Sequence, residues 1–243
     1  MSAGSVFQAA LRLIMRQELS DEANRDVLPV LEAVRSKGLL ALLEAAAHDG
    51  GLDAGAALAR AGALYVGCSA GNLCDDLIDG ECTYLDEPLR KGPSLQYLLQ
   101  FIMVRGLLAA GLPGDVIAEG CAGLARSASW SHLEVRTRVW TATVYRQVGE
   151  GVAGQQWASL LPLLWWNTPL ADRAARVGRM AAIAGHVAED VRSGDPRFTS
   201  MPDTDRADVL GWAREAVSAL RAEDIRSMTA IAAGLEQTLK SAH

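Results

Sequence analysis

Lysine is almost missing from this sequence. Lys37, Lys91 and Lys240 are the only three among 23 basic residues, and Lys and Arg nowhere form a block. With a formal net charge of −6, the chain lacks the basic surface that nucleic acids or anionic membranes require, so neither is expected as a partner. Cysteine is sparse too. Cys68, Cys74, Cys82 and Cys121 show no CxxC spacing and no His pairs nearby, which argues against a zinc site and for buried free thiols in a reducing cytoplasm. The N-terminus has no basic region leading into an apolar h-region. The most apolar runs contain Gly, Asn or Ser and end in acids, so neither a signal peptide nor an integral membrane segment is expected. Strand-type alternation is also missing, as are linkers, low-complexity tracts and fixed-period repeats.

What remains is helical. The 243 residues are 50% hydrophobic and 21% charged, which suits one domain over residues 1–243 with a sizeable core. Ala, Leu and Arg dominate, and apolar residues recur three and four apart. Breaks are expected at Asp49-Gly50-Gly51, Gly92-Pro93, Leu112-Pro113-Gly114, Thr168-Pro169, Asp195-Pro196 and Met201-Pro202-Asp203. The resulting expectation is all-α: a single-domain bundle of about ten helices around a central cavity.

One stretch organises the chain. Between Ala61 and Cys74 there is no charged residue, and the run then ends in Asp75-Asp76-Leu77-Ile78-Asp79-Gly80. A helix without a polar face is surrounded by protein. Asp75 and Asp79, four apart, share a face with Asp76 beside them, at the helix end whose dipole disfavours acids. Two or three carboxylates held together there call for cations, and Mg²⁺ with waters and substrate phosphates fits best. The alternative is an ordinary solvated helix end. A second uncharged run, Met180 to Ala188, ends in Glu189-Asp190 and repeats the pattern. Two such helices facing each other would put carboxylates on both walls of one cavity. His186, within that run, fits a satisfied core histidine better than a metal ligand. Arg90 and Lys91 fall in a turn-rich segment, read as an extended loop, where a fork and a point charge either clamp a diphosphate or stand as a solvated pair. Glu150 to Gln156 sets Gly beside amides, which suggests close helix approach or a polar contact within a core.

These residues resemble, in fragments from about Lys37 to Pro196, the trans-isoprenyl diphosphate synthase family of the class I terpenoid synthase superfamily. Asp75-Asp76-Leu77-Ile78-Asp79 matches the family's first aspartate-rich motif in full. Arg90-Lys91-Gly92-Pro93 looks like its Arg-Arg-Gly-x-Pro segment, Gly154-Gln155 like its Gly-Gln, and Gly185-His186-Val187-Ala188-Glu189-Asp190 like the start of its second acidic motif. The resemblance implies an isoprenoid synthase-like fold, a homodimer, and Mg²⁺ ions held by Asp75, Asp76, Asp79, Glu189 and Asp190. It also implies an allylic prenyl diphosphate bound with help from Lys37, Arg90, Lys91, Gln155 and His186. Gly71, with Gly67 and Cys68, lies behind Asp75 on one helix face, where small side chains leave room for a prenyl tail or allow close packing.

The departures are as informative. Where the family carries Gly-Lys-Arg-x-Arg-Pro, the sequence reads Ser36-Lys37-Gly38-Leu39-Leu40-Ala41, without the arginines that help bind isopentenyl diphosphate. The second motif lacks its last aspartate, unless Asp195 serves, and no lysine lies between Lys91 and Lys240. The donor half of the site is retained and the acceptor half weakened. That leaves a prenyl-transferring enzyme as the main reading. The alternatives are a terpene cyclase, a transferase using another acceptor, and a non-catalytic partner subunit. An aromatic content of 5% counts against a cyclase, which steers cations by π faces.

Overall fold

The computed structural model describes residues 3–35 and 39–241, and among them there is no strand. None of these helices is long and apolar enough to cross a membrane. The chain packs as two compact units, Met1–Ile117 and Ala118–His243.

The first unit holds α1 (Ala3–Met15), α2 (Asp21–Arg35), α3 (Leu39–Asp49), α4 (Ala54–Asp79) and α5 (Pro88–Ala109). α4 is its axis, and the other four all pack on it. It starts at Asp53, whose carboxylate caps the N–H groups of Gly55 and Ala56 at 2.9 Å. The uncharged run is core, as its composition predicts: Ala61, Leu64, Tyr65, Val66, Ala70 and Leu73 are fully buried. Burying each larger side chain contributes roughly 1.5–3 kcal/mol. Tyr65 donates to the Leu31 carbonyl at 2.6 Å, tying α2 to the axis. Small residues on α4 serve close approach. A Cβ at Gly62 would meet Ala9 of α1 at 3.0 Å, and one at Gly67 would overlap the Met103 sulfur of α5. Burial pushes the Cys68 thiol up to about 12, so it is an inert core thiol.

The second unit begins within α6 (Gly114–Arg136). α7 (Ala142–Gly149) runs through a π-helical turn, Glu150–Gly154, into α8 (Gln155–Leu164), and a 3₁₀ turn at Ala171–Arg173 leads into α9 (Ala174–Ser193). α10 (Pro196–Thr199), α11 (Asp203–Ala222) and α12 (Arg226–Lys240) complete it. Here α9 is the axis, packed by α8, α10, α11, α12 and the π turn. Of the two glycines in the Glu150–Gln156 stretch, Gly151 marks close approach, because a side chain there would overlap the Trp130 indole of α6, whereas Gly154 has ordinary contacts at 3.5 Å and beyond. A different kind of constraint acts at Gly178, where a Cβ would overlap the backbone oxygen of Trp157. Backbone cannot swing aside as a side chain does. Gly178→Ala is therefore expected to destabilise the protein by about 1–3 kcal/mol, read as a lowered urea midpoint at unchanged slope.

One expected break is absent. Gly92-Pro93 lies inside α5, because Pro88 at the first helical position starts the helix five residues earlier, with a fixed φ suited to it. Gly92 is needed for another reason: a Cβ there would press on Leu77 at 2.5 Å.

Candidate active site

α4 and α9 end alike. Gly80 (φ +73°) and Gly194 (φ +69°) take the left-handed conformation that closes each helix, four residues after Asp76 and Asp190. The carbonyl of Asp76 then accepts from Gly80, Glu81 and Cys82, and that of Asp190 from Gly194 and Asp195. The carbonyl groups at each helix end are thus met by the following turn.

In the first unit the three carboxylates divide. Asp75 and Asp79 are exposed on one face, a turn apart, whereas Asp76, 100° round the helix, is buried. Its Oδ2 accepts from the Asn72 amide at 2.7 Å and from the Tyr84 hydroxyl at 2.8 Å. Burial and this bond push the Tyr84 pKa well above that of an ordinary phenol, so it stays a donor. Among the described residues no three Asp, Glu, His or Cys side chains converge as a metal cluster; Asp75 and Asp79 share a face, and Asp76 turns away from it.

Arg90 and Lys91 stand in the first turn of α5, not in an extended loop, and they take different partners. Arg90 pairs with Glu87 at 3.1 Å in solvent, while Lys91 reaches Asp26 of α2 at 3.1 Å, both partly buried. Lys91, Asp26 and Tyr84 line one cleft of about 420 Å³ with Arg25 and Asp86, so Tyr84 joins this cleft to the acidic helix end. Lys37 lies outside the described residues. Gly71 is half-buried.

The second unit repeats the division. Glu189 is exposed, its carboxylate held by Arg192 at 2.7 Å. Asp190 is 2% exposed; its Oδ2 accepts from the Tyr145 hydroxyl at 2.6 Å and its Oδ1 faces Arg197 at 3.4 Å. Arg197 also pairs with Asp195 at 2.8 Å and with Glu134 of α6. Burial pushes the Asp190 carboxyl above its ordinary pKa, against the pull of His186, Arg197 and Tyr145. Burial pulls the Asp195 carboxyl up as well, but the hydrogen bonds and charge of Arg197 outweigh it and hold that pKa below the usual value. His186 stacks on the Tyr145 ring at 5.4 Å, 3.8 Å from Asp190. Burial lowers its pKa, so the imidazole is neutral near pH 7. Gln155 opens α8 and donates to Ser159 at 3.1 Å.

Sequence reasoning did not single out Asn72, Tyr84, Glu134, Tyr145 or Arg197. Arg197, directly after Asp195-Pro196, carried a local signal. Tyr145, 45 residues from its partner, carried none.

The donors at the end of α4 suit a hard divalent cation: two exposed carboxylates on one face, with Mg²⁺ characteristically taking one or two and leaving its other positions to water and phosphate. No family model and no curated protein sequence matches the chain. Among solved structures, a geranyltranstransferase from Thermotoga maritima superposes with a TM-score of 0.72 at 15% identity, over 96% of this chain and 97% of that one. The chain has, over nearly its whole length, an all-helical isoprenoid synthase-like fold.

Proposed function

We propose that residues 1–243 act as one isoprenoid synthase-like domain, a Mg²⁺-dependent enzyme of the cytoplasm that ionises an allylic prenyl diphosphate and transfers the prenyl group. The observation that carries this is the end of α4, where a buried, uncharged helix presents Asp75 and Asp79 outward a turn apart while Asp76 is tied inward. The fold shared with a geranyltranstransferase supports the same reading. Asp75 and Asp79 would hold Mg²⁺ at the end of α4, and Glu189, exposed at the end of α9, is proposed as a metal-holding carboxylate of the second unit. When bound, the metal supplies positive charge that stabilises a departing diphosphate. Of the adjacent pair, Lys91, partly buried in the cleft that Tyr84 also lines, would neutralise a phosphate oxygen, whereas Arg90 in open solvent contributes little.

Incubation with Mg²⁺ and a panel of allylic diphosphates, with and without isopentenyl diphosphate, tests the proposal by mass spectrometry of the products. Release of diphosphate and a prenylated product is expected. No turnover of any allylic diphosphate would defeat it. Isopentenyl diphosphate is expected to be a poor acceptor, because Gly38 and Leu40 stand where charge-assisted contacts are needed. Two such contacts, each roughly 1.5–3 kcal/mol, correspond to a loss of about two orders of magnitude or more in affinity. Efficient elongation at micromolar concentration would contradict this.

At Gly67 the room is taken by Met103, so on this face the space proposed for a prenyl tail is that at Gly71. Gly71→Phe is expected to shorten the longest accepted allylic diphosphate with the protein still folded. Unchanged preference across a length series would remove Gly71 from the substrate site. A homodimer is proposed as well. Tyr97, Phe101 and Leu108 stand exposed within 40° of one another around α5, an apolar stripe that a second copy would cover.

A further inference from the structure

The two acidic helix ends share a device that neither motif contains. In each, the second carboxylate turns inward and is held by a tyrosine hydroxyl from elsewhere in its unit: Tyr84 to Asp76 at 2.8 Å, Tyr145 to Asp190 at 2.6 Å. In each, the carboxylate just before it, Asp75 or Glu189, is exposed, and a left-handed glycine follows four residues after the buried one. Successive residues on a helix point 100° apart. Anchoring the second therefore sets the rotation of the last turn and with it the direction of the first. Asn72 adds a second donor at Asp76, and Arg197 a cation at Asp190. Neither buried carboxylate is left unsatisfied, and the tyrosines, with pKa values raised by burial and by the carboxylates they face, remain protonated donors.

We propose that Tyr84 and Tyr145 are positioning residues: each hydroxyl anchors the inward carboxylate of an acidic helix end and so fixes the preceding carboxylate, Asp75 or Glu189, outward for metal. This rests on the reading of Asp75 and Glu189 as metal-holding groups. Asp76 and Asp190 then act as anchors within the fold and not as ligands. Partners one step removed from a metal commonly alter its affinity by about 10–100-fold.

The test is calorimetric titration of Mg²⁺ with inorganic diphosphate into the wild-type chain, Tyr84→Phe and Tyr145→Phe, with thermal unfolding followed in parallel. Each variant is expected to bind about tenfold more weakly at a temperature where its helicity is unchanged. A hydroxyl that only stabilised the fold would lower the melting temperature and leave the affinity of the folded protein at the wild-type value, and that result overturns the proposal. Should Tyr145→Phe fail to fold, the Tyr84→Phe titration decides, since Tyr84 lines an open cleft. If the wild-type chain itself binds no Mg²⁺ with diphosphate, the metal reading falls and this proposal with it, a result distinct from equal binding by all three proteins.

Discussion

Replacing Arg197 with alanine is expected to lower stability by about 3–5 kcal/mol, the usual cost of removing one partner from a buried ion pair. Arg197 faces three carboxylates, those of Glu134, Asp190 and Asp195, whose side chains are 14%, 3% and 20% exposed. Without the guanidinium they are left as mutually repelling acids, one buried and two partly buried, and Asp190, already pushed up by burial, would rise further. The pH dependence has a definite sign. The folded pKa of Asp195 is depressed, so its contribution is complete above the unfolded value of about 3.9 and is lost as pH falls through the folded value. Arg197→Ala lacks that contribution at every pH. The stability gap between variant and wild type, measured by urea unfolding, should therefore be full at pH 7 and shrink progressively as pH falls below about 3.9. A gap that stays constant across this range would show that the network contributes through packing alone.

Asp75→Ala is expected to weaken Mg²⁺-dependent diphosphate binding by about a hundredfold or more, since losing a ligand should exceed the 10–100-fold typical of its supporting residues. The fold should persist, because Asp75 is exposed at the end of α4 and its neighbour Asp76 keeps Asn72 and Tyr84. Calorimetry with Mg²⁺ and diphosphate checks this directly. Unchanged binding in a folded variant would place the metal elsewhere.

Both predictions concern helices whose existence the composition made plain and whose ends it described only in part. The uncharged run before Asp75 marked α4 as a core helix, and the buried Leu64, Tyr65 and Leu73 bear this out. The turn signals at Gly50, Pro113, Pro169, Pro196 and Pro202 separate helices in the structure. Gly92-Pro93 does not, since Pro88 at the first helical position has already started α5 and the glycine answers to Leu77, a neighbour fifteen residues away that no local rule detects. Arg90 and Lys91, adjacent in sequence, look like one clamp. Helical rotation sends them to Glu87 and Asp26.

The sequence by itself determined that the chain is helical, that α4 and α9 lie inside protein, and that each ends in acid. These follow from short-range periodicity and from the cost of burying charge, both of which are local. Only the tertiary structure decided which carboxylate of each motif turns inward. That choice depends on donors brought from a distance, Tyr84 and Asn72 to Asp76, Tyr145 and Arg197 to Asp190. A carboxylate can be buried only where such partners meet it, and their meeting is a property of the packed chain, not of the run of residues that carries the acid.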